Sequence, residues 1–503
     1  MAAVIGRHQL ARLLEGWVTG QGALHTRLTG RLRALVRSGQ LPAGTRLPSE
    51  RILAGALNVS RNTVGAAFDQ LRGEGLFSSR RGDGTYVSLA GRHTLIRGDD
   101  RLRSFLTPPE TVLPGTVLPG TTPPGTTSSG MTPPGTTPAE AHRGARIDLR
   151  SAALSGLDLV TAEIDRLSGA DLTELVGTHG YLPAGLPALR QAVAGYYTDL
   201  GLPTAADQVV ITSGAQQALR LVATALLEPG SPVLIEEPSF RGAIEVLRSA
   251  GARLIPVPSG PAGIDVAALR AAVRAQRAHR PALVVIQSTV HNPTGSVLDV
   301  SGRRALAGLD VPVLDDATLY DTLVDEPAGP ALKPTAAYGG PVITIGSASK
   351  SFWGGLRVGW LRADPATVAT LTSVKGGEDL GTSVLAQLVT ARLLPRIGLA
   401  RERRRAALGP ARDTVTAAVS ELLPEWRFEP PAGGASLWVR LPAPCATAFA
   451  QAAGRAGVAL LPGPTFSCAD GLDDHLRISF APPLPDVLSG LHRVAAAWSA
   501  FTA

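Results

Sequence analysis

The sequence predicts a multidomain protein in which a small α+β domain with a helix-turn-helix precedes a larger α/β domain. Two short helical patterns joined by a tight turn, followed by a hairpin pattern, lie within residues 1–90. Short apolar runs alternate with helical patterns over residues 147–503, which is typical of parallel strands joined by helices. Residues 91–146 separate the two patterns. The chain has 503 residues, 44% of them hydrophobic, and is therefore long enough for two such domains.

Composition and charge exclude several classes of protein. No apolar run approaches the ~18 residues that a membrane span requires, and the stretch Met1–Gly6 is too short for a signal peptide, so we expect a cytoplasmic protein. The two cysteines, Cys445 and Cys468, are too few for a disulfide framework. Residues 1–106 contain 16 arginines and only 7 acidic residues. A polyanion is therefore the expected partner of the N-terminal domain, and we expect no metal site.

Residues 91–146 are predicted to form a disordered linker. Proline, glycine, threonine and serine dominate this segment, and glycines recur at a strict spacing of five residues, at Gly115, Gly120, Gly125, Gly130 and Gly135. Such a composition offers almost nothing apolar to bury, so the segment is not expected to fold into a domain of its own. As a flexible coil it would span about 40 Å.

A helix-turn-helix is predicted within residues 47–72. Ser49 is placed to cap its first helix, whose apolar face is expected to comprise Ile52, Leu53, Ala56 and Leu57. Ser60 ends the turn and is placed to cap the second helix. In this geometry the N-terminal side chains of the second helix meet base edges, and here those side chains are Ser60, Arg61, Asn62 and Thr63.

The flanking elements complete the N-terminal domain. Apolar residues at helical spacing predict a helix over Leu24–Val36, and Asp83-Gly84 between two β-prone runs predicts a hairpin. Through the segments LPSER, VSRNTV, EGL and RRGDGTYV, residues 18–88 resemble the winged helix of GntR-type regulators. The resemblance implies that the following residues approach double-stranded DNA: Arg51, Ser60, Arg61, Asn62, Thr63 and Gly82. A winged helix that mediates only protein contacts is the alternative.

Lysine is scarce in this chain and therefore informative. Of the 48 basic residues only Lys333, Lys350 and Lys375 are lysine. Arginine cannot replace lysine where a deprotonatable amine must form an imine, so each of the three is a candidate for covalent chemistry. Lys350 is the candidate that follows an apolar, strand-like run, over Val342–Ile345.

The residues around Lys350 suit an aldehyde cofactor that carries a phosphate. A lysine just past the end of a strand can condense with an aldehyde, and the hydroxyls of Ser347 and Ser349 together with Arg357 suit a dianionic phosphate. Far upstream, Gly214 joins a predicted strand to a helix. The free amides at the start of that helix, at Ala215 and Gln216, are candidates for the same phosphate.

Three further segments carry groups that a pyridine ring requires. Phe240 follows the next predicted strand and is suited to stacking on the ring. Asn292, in the segment HNPTG, supplies an amide for a phenolic oxygen. Asp315 and Asp316 end another strand, and either carboxylate could hold the ring nitrogen protonated. All these segments occur in the proper order along the chain.

The body resembles fold-type I aminotransferases over about residues 147–503, and the whole arrangement resembles the MocR subfamily of GntR regulators. The resemblance implies pyridoxal 5′-phosphate as the cofactor, with Lys350 forming the imine and Asp316 preferred over Asp315 at the ring nitrogen. It also implies a role for Asn292 at the ring oxygen and for Phe240 in stacking. Finally, it assigns the phosphate to Ala215, Gln216, Ser347, Ser349 and Arg357, a ligand carboxylate to Arg477, and a partner subunit's phosphate to Tyr181.

One position departs from the resemblance. Thr318 stands where related regulators often carry a tyrosine that bonds the cofactor, and Tyr320 lies about 7 Å further along a strand. This departure argues against efficient transamination. The sequence therefore predicts a homodimeric regulator that senses an amino compound or the cofactor itself. The alternatives are a working aminotransferase with an appended DNA-binding module and a cofactor-free body used only for dimerisation.

Overall fold

The computed structural model describes most of the chain, with gaps. Before residue 23 the described positions are Ile5, Gly6, Leu10, Ala11, Leu13, Leu14 and Trp17; from there they are residues 23–37, 40–41, 44–80, 84–88, 146–276, 281–325, 331–469 and 471–502. The predicted linker, apart from Arg146, lies outside the described residues. The chain divides into two compact units, within residues 1–112 and 113–503.

The N-terminal unit contains a helix-turn-helix and an antiparallel hairpin. Its elements are α1 (Leu24–Arg37), α2 (Glu50–Leu57), α3 (Arg61–Gly73), β1 (Phe77–Arg80) and β2 (Gly84–Val87). The hydroxyl of Ser49 caps α2 by accepting from the main-chain nitrogen of Ile52, and Asn58 ends the helix in the left-handed conformation. Ser60 caps α3 in the same way. The predicted helix-turn-helix is therefore present, with both predicted caps.

The buried face of α2 differs from the expectation. Leu53 and Ala54 are buried, whereas 42% of the Ile52 surface is exposed. The assignment of Ile52 to the apolar face was wrong. The buried face is centred on Leu53 and Ala54, and Ile52 lies outside it because each residue of a helix is rotated by about 100° from the one before. With Leu53 directed at the core of this unit, its neighbour Ile52 points outward.

The C-terminal unit is built from thirteen helices and fourteen strands among the described residues. Its helices are α4 (Asp158–Ile164), α5 (Gly169–Val176), α6 (Pro187–Asp199), α7 (Ala215–Leu226), α8 (Arg241–Ser249), α9 (Val266–Ala275), α10 (Val300–Ala307), α11 (Ala348–Ser351), α12 (Pro365–Glu378), α13 (Val384–Leu393), α14 (Ile397–Leu422), α15 (Ala446–Arg455) and α16 (Leu484–Thr502). Its strands are β3 (Ile147–Asp148), β4 (Val209–Thr212), β5 (Pro232–Glu237), β6 (Arg253–Gly260), β7 (Gly263–Ile264), β8 (Leu283–Ile286), β9 (Val313–Asp316), β10 (Val342–Ser347), β11 (Gly359–Arg362), β12 (Arg427–Phe428), β13 (Ser436–Arg440), β14 (Val458–Ala459), β15 (Leu461–Pro462) and β16 (His475–Ser479).

The central element of this unit is an eight-stranded sheet in the order β4-β11-β10-β9-β8-β5-β6-β7. The strands β10, β9, β8, β5 and β6 are parallel, which agrees with the predicted parallel sheet. The helices α8, α9 and α10 lie in the connections from β5 to β6, from β6 to β8 and from β8 to β9. The strand β11 is antiparallel to both β10 and β4, so the sheet is mixed rather than wholly parallel. The reason is the short connection between β10 and β11, because a parallel crossover requires a dozen or more residues.

A smaller antiparallel sheet, β12-β13-β16-β15, forms the second layer of the unit. It packs with α14, α15 and α16 around a core that includes Trp426, Phe449 and Trp498, whose rings meet edge to face. The strand β3, the first described strand after the linker, pairs with β14. Residues 149–157 therefore connect the region around the smaller sheet, where β3 lies, to α4 in the region around the large sheet.

The carboxyl ends of β5, β8, β9 and β10 lie at one edge of the large sheet. In open α/β sheets, ligands bind at this edge. Each strand end there carries a polar group: Glu237, Gln287, Asp316 and Ser347. Among the described residues, no helix is long and apolar enough to cross a membrane.

Candidate functional site

The start of α3 presents the side chains that the sequence assigned to DNA. The hydroxyl of Ser60 accepts from the main-chain nitrogen of Thr63 at 3.1 Å and lies 2.8 Å from the Thr63 hydroxyl. Both side chains are therefore engaged in the helix cap. Arg61 and Asn62 are exposed at the same helix end, and so is Arg51 on α2. Gly82 lies outside the described residues.

The exposed Arg61 lies beside a partly exposed ion pair between Arg72 and Glu50. Glu50 accepts from Arg72 at 2.8 Å, which ties α2 to α3. The other carboxylate oxygen of Glu50 lies 3.9 Å from the Arg61 Nε, whose side chain is 73% exposed. An exposed pair at that distance contributes little to stability, so Arg61 is available to a base edge.

Lys350 lies on α11, one short turn beyond the end of β10. Its Nζ donates to the main-chain carbonyl of Ala152 at 2.7 Å. Burial lowers the pKa of Lys350 to about 8, with smaller contributions from the positive charges of Arg477 and Arg404. A lysine with this pKa has a substantial neutral fraction near neutral pH, as a nucleophilic amine requires.

The other two lysines lie in different surroundings. Lys375 is fully buried and pairs with Asp379 at 2.5 Å, one turn further along α12. The chain of Lys333 packs against Gly201, where a β-carbon would lie 2.9 Å from its Cε. Of the three lysines, Lys350 is the one that lies at the carboxyl edge of the large sheet.

Gly214 and Arg357 form a corner next to the N-terminus of α7. Gly214 has a φ of 108°, and a β-carbon on it would lie 2.9 Å from an Nη of Arg357. That guanidinium nitrogen donates to the carbonyl of Ser213 at 3.0 Å. No side chain caps α7, so its first amides, at Ala215 and Gln216, face this corner without a capping oxygen.

Ser347 and Ser349 stand differently toward this corner. The hydroxyl of Ser347 is buried, where it accepts from the main-chain nitrogen of Ser349 at 3.1 Å and lies 3.3 Å from the carbonyl of Val358. Ser347 therefore caps α11 and orients the helix that carries Lys350. The side chain of Ser349 is partly exposed.

Asp315 and Asp316 have different partners, because successive residues of a strand point to opposite faces. Asp315 is buried and accepts from the nitrogen of Ser288 at 3.0 Å, from its hydroxyl at 2.6 Å and from Thr335 at 2.7 Å. Asp316 accepts from the Nε2 of Gln287 at 3.3 Å and from the nitrogen of Thr318 at 3.1 Å. Burial raises the pKa of Asp316 to about 6, although these donors lower it.

Thr318 and Tyr320 each form hydrogen bonds with other residues of the chain. Thr318 bonds Asp316 through its nitrogen and its side chain. The hydroxyl of Tyr320 donates to the carbonyl of Leu332 at 2.7 Å. Tyr320 therefore does not take the place of a tyrosine at position 318.

Arg477, on β16, connects the smaller sheet to this edge. One Nη donates to the side-chain oxygen of Asn292 at 3.0 Å, and the other donates to the carbonyl of Arg150. Its Nε is buried and has no hydrogen-bond partner among the described residues. Burial lowers the pKa of Arg477 to about 9, and the charge of Arg241 adds to this effect.

The ring of Phe466 is a contact of Arg477 that the sequence interpretation missed. Its centroid lies 5.0 Å from the guanidinium carbon, which stabilises a desolvated cation. Gln287, the partner of Asp316, was missed as a site residue as well. Its position as a polar residue that ends the apolar run of β8 is the signal that could have found it.

Phe240 and Tyr181 complete the predicted set, and they are placed very differently. The ring of Phe240 packs on Gly242, where a β-carbon would lie 2.6 Å from it and 2.8 Å from the side-chain oxygen of Gln216. Phe240 thus lies beside the start of α7. Tyr181 is 61% exposed and stacks on His179. Its contacts with described residues do not join it to the other site residues.

The chemistry of this edge follows from the groups it brings together. An amine with a lowered pKa, a partly buried carboxyl with a raised pKa, an amide and a buried guanidinium come together from four different elements. Among the described residues, no group of three or more histidine, cysteine, aspartate or glutamate side chains could hold a metal ion. The arrangement suits an aldehyde-bearing heterocycle with a phosphate and a carboxylate-bearing amine.

Two family models match the chain. The model described as "Bacterial regulatory proteins, gntR family" matches residues 24–87, and the model described as "Aminotransferase class I and II" matches residues 151–490. The second match covers more than half of the chain and contains every residue of the carboxyl-edge site.

Individual relatives agree with these matches. The HTH-type transcriptional regulator TauR of Rhodobacter capsulatus is 32% identical, over 71% of this chain and 71% of its own. The probable rhizopine catabolism regulatory protein MocR of Rhizobium meliloti is 28% identical, over 68% and 66%. Among solved structures, LysN from Thermus thermophilus, an alpha-aminoadipate aminotransferase complexed with N-(5′-phosphopyridoxyl)-L-leucine, is similar with a TM-score of 0.65. It is 28% identical and covers 73% of this chain and 95% of its own.

Proposed function

Because the chain belongs to the MocR subfamily of GntR-type transcription regulators, with a GntR DNA-binding domain fused to an aminotransferase class I and II domain, we propose that its body binds pyridoxal 5′-phosphate and senses an amino compound or the cofactor itself. The family explains why a DNA-binding unit and an aminotransferase fold occur in one chain. The cofactor, the ligand and the roles of the site residues belong to the proposal.

The residues at the carboxyl edge fit the cofactor. The corner at Gly214 is closed to any side chain and is bordered by the Arg357 guanidinium and the uncapped amides of α7, which suits a phosphate. Ala215, Gln216, Ser349 and Arg357 would hold that phosphate, while Ser347 would orient α11. Phe240 would lie against the ring.

The ring itself would be held at two edges. Asp316 would accept from the ring nitrogen and keep it protonated, and Asn292 would donate to the ring oxygen. The bound cofactor supplies an aldehyde that reacts with amines and a ring that withdraws electrons from them. Lys350 provides the protein's own amine for that aldehyde. Its lowered pKa supports this role, since a neutral amine is required.

The observation that supports the sensing role is the proximity of Lys350 to Arg477. Lys350 donates to the carbonyl of Ala152, and Arg477 donates to the carbonyl of Arg150, two residues away on the same segment. An amine-reactive position and a carboxylate-binding position thus lie close together. That spacing favours a small compound that carries both an amine and a carboxylate, which Arg477 would bind as a charge-assisted pair.

The ligand would act on transcription through the two DNA-binding units of a homodimer. The exposure of Tyr181, whose ring stacks on His179 at the surface, supports a partner subunit there. A ligand changes DNA affinity only if it binds one arrangement of the body better than the other. A coupling free energy of about 1–3 kcal/mol would change operator affinity roughly 5–150-fold.

We place this regulator in the cytoplasm, where its operator DNA is found.

One experiment separates this proposal from the alternatives. Purified full-length protein is mixed with pyridoxal 5′-phosphate, and binding is followed by absorbance and by borohydride fixation. Amino donors and a keto acid are then added and product is measured. We expect a bound cofactor and no multiple turnover. Sustained transamination would instead support a working aminotransferase with an appended DNA-binding module, and absence of a bound cofactor would support a body used only for dimerisation.

A further inference from the structure

Gln287 connects the two residues that would hold opposite edges of the cofactor ring. It follows β8 directly and is buried. Its side-chain Nε2 donates to the Oδ2 of Asp316 at 3.3 Å, and its Oε1 accepts from the main-chain nitrogen of Asn292 at 2.9 Å. The single side chain of Gln287 therefore bridges Asp316 on β9 and the loop that carries Asn292.

The orientation of this amide is fixed by its partners. A main-chain nitrogen can only donate, so the oxygen of the Gln287 amide must face Asn292, and its NH₂ group must face Asp316. The main chain of Gln287 is held in turn, because its nitrogen donates to the Oε2 of Glu236 at 2.7 Å. Asp316 is thus approached by a donor that cannot reverse.

A fixed donor matters because Asp316 is partly buried and its carboxyl is desolvated. Desolvation favours the neutral form of a buried carboxyl, and hydrogen-bond donors favour the ionised form. The donors that face Asp316 are Gln287 and Thr318, and the negative charge of Asp315 opposes them. Other titratable groups on the neighbouring elements include Glu236 and Glu237 on β5, His291 in the loop after β8 and Lys350 on α11. Without the hydrogen bond from Gln287, the ionised form of Asp316 would be less stable, and Asp316 would take up a proton at a higher pH.

We propose that Gln287 is a positioning residue that keeps Asp316 ionised and aligned with the ring nitrogen of the cofactor, and that fixes Asn292 in register with it. This inference rests on the proposed function, since it assumes that the cofactor binds at this edge. It assigns a role to a side chain that would not itself touch the cofactor.

The test compares variants of the full-length protein with pyridoxal 5′-phosphate as the probe. Gln287→Leu removes both side-chain hydrogen bonds, and Gln287→Glu keeps the shape but places a second carboxyl beside Asp316. Gln387→Leu is the matched control, because Gln387 is fully buried and also bridges two main-chain groups, the nitrogen of Leu186 and the carbonyl of Thr382. The measurements are the absorbance spectrum of the bound cofactor, its affinity between pH 5 and pH 8, and thermal unfolding.

We expect Gln287→Leu to weaken cofactor binding at pH 7 roughly ten-fold, which is the typical effect of losing a hydrogen bond to a charged group. The spectrum should move toward that of Asp316→Asn, and the acid-side loss of affinity should begin about one pH unit higher than in the parent protein. Gln287→Glu should shift that loss in the same direction. Gln387→Leu should lower the unfolding temperature and leave the spectrum and the pH profile unchanged.

The outcomes separate this inference from the proposed function. If the parent protein binds the cofactor but Gln287→Leu and Gln287→Glu keep its spectrum and pH profile, the role of Gln287 is refuted and the proposed function stands. If Gln387→Leu shifts the spectrum as much as Gln287→Leu, the effect is structural and the inference is again refuted. If Gln287→Leu does not fold, the isosteric Gln287→Glu decides. If the parent protein binds no cofactor, the proposed function fails and the inference fails with it.

Discussion

Ser288 donates two hydrogen bonds to Asp315, from its main-chain nitrogen at 3.0 Å and from its hydroxyl at 2.6 Å. The same serine hydroxyl accepts from Arg303, which is fully buried, at 2.9 Å. Asp315 is therefore part of a structural network between β8, β9 and α10, and it supplies a negative charge near the buried arginine. Asp316 is left as the carboxyl at the ligand edge.

The two neighbouring aspartates should respond differently to the same change. Asp315→Asn should lower the free energy of unfolding by about 1–3 kcal/mol, because it weakens a buried network and removes the charge near Arg303. Asp316→Asn should leave stability unchanged or higher, since burial disfavours its charged form. Cofactor affinity should follow the opposite pattern, with a loss of about ten-fold or more only for Asp316→Asn. Denaturant unfolding and cofactor titration measure the two effects, and a larger loss of affinity for Asp315→Asn would reverse the assignment.

Replacement of Lys350 should abolish covalent attachment of the cofactor. After incubation with pyridoxal 5′-phosphate and borohydride, the parent protein should carry a fixed cofactor that mass spectrometry locates on Lys350, and Lys350→Ala should carry none. Lys333→Ala is the control, because it removes a lysine amine that packs against Gly201, and it should retain the attachment. Lys375→Ala should retain attachment but lose stability, because Asp379 loses its ion-pair partner and a fully buried side chain is truncated. Fixation that persists in Lys350→Ala and disappears in another lysine variant would contradict the assignment.

The lowered pKa of Lys350 predicts a pH dependence for its reaction with the cofactor. Only the neutral amine attacks an aldehyde, so the rate should rise roughly ten-fold per pH unit and level off near pH 8 rather than near the ordinary value of 10.5. Between these two values the folded protein binds fewer protons at Lys350 than the unfolded chain, so this group adds stability as the pH rises through that window. Stopped-flow absorbance measures the rate. A rate still rising steeply above about pH 9 would be inconsistent with the buried amine.

On the DNA-binding unit, Arg61 and Arg51 should have separable roles. Arg61→Ala should cost roughly 1–3 kcal/mol on the operator and little on random DNA, because an exposed arginine at the start of α3 is placed for base edges. Arg51→Ala should weaken binding to both DNAs by similar factors and reduce the salt dependence, as expected for a phosphate contact. Fluorescence anisotropy with operator and scrambled duplexes measures both. Equal losses for Arg61→Ala on the two duplexes would remove the distinction.

The sequence predicted those parts of the site that depend on interactions between residues close together in the chain. Ser49 and Ser60 were identified as helix caps because a cap needs only the next three residues. Lys350 was singled out from its scarcity and its position after an apolar run, and the structure places it at a strand end. These are local features, and local sequence is sufficient to specify them.

The sequence by itself determined the order of the two units, most of the strands of the large sheet and the residue types that gather at its edge. Tertiary structure decided the rest, because those choices depend on partners far away in the chain. The two-residue motif does not show which of Asp315 and Asp316 faces the ligand edge. In the structure Ser288, 27 residues earlier, binds Asp315, and Gln287, 29 residues before Asp316, binds Asp316. Arg477 meets Arg150 across 327 residues and Asn292 across 185. No pattern of neighbouring residues encodes such pairs, since they form only when the buried faces of the sheets have packed.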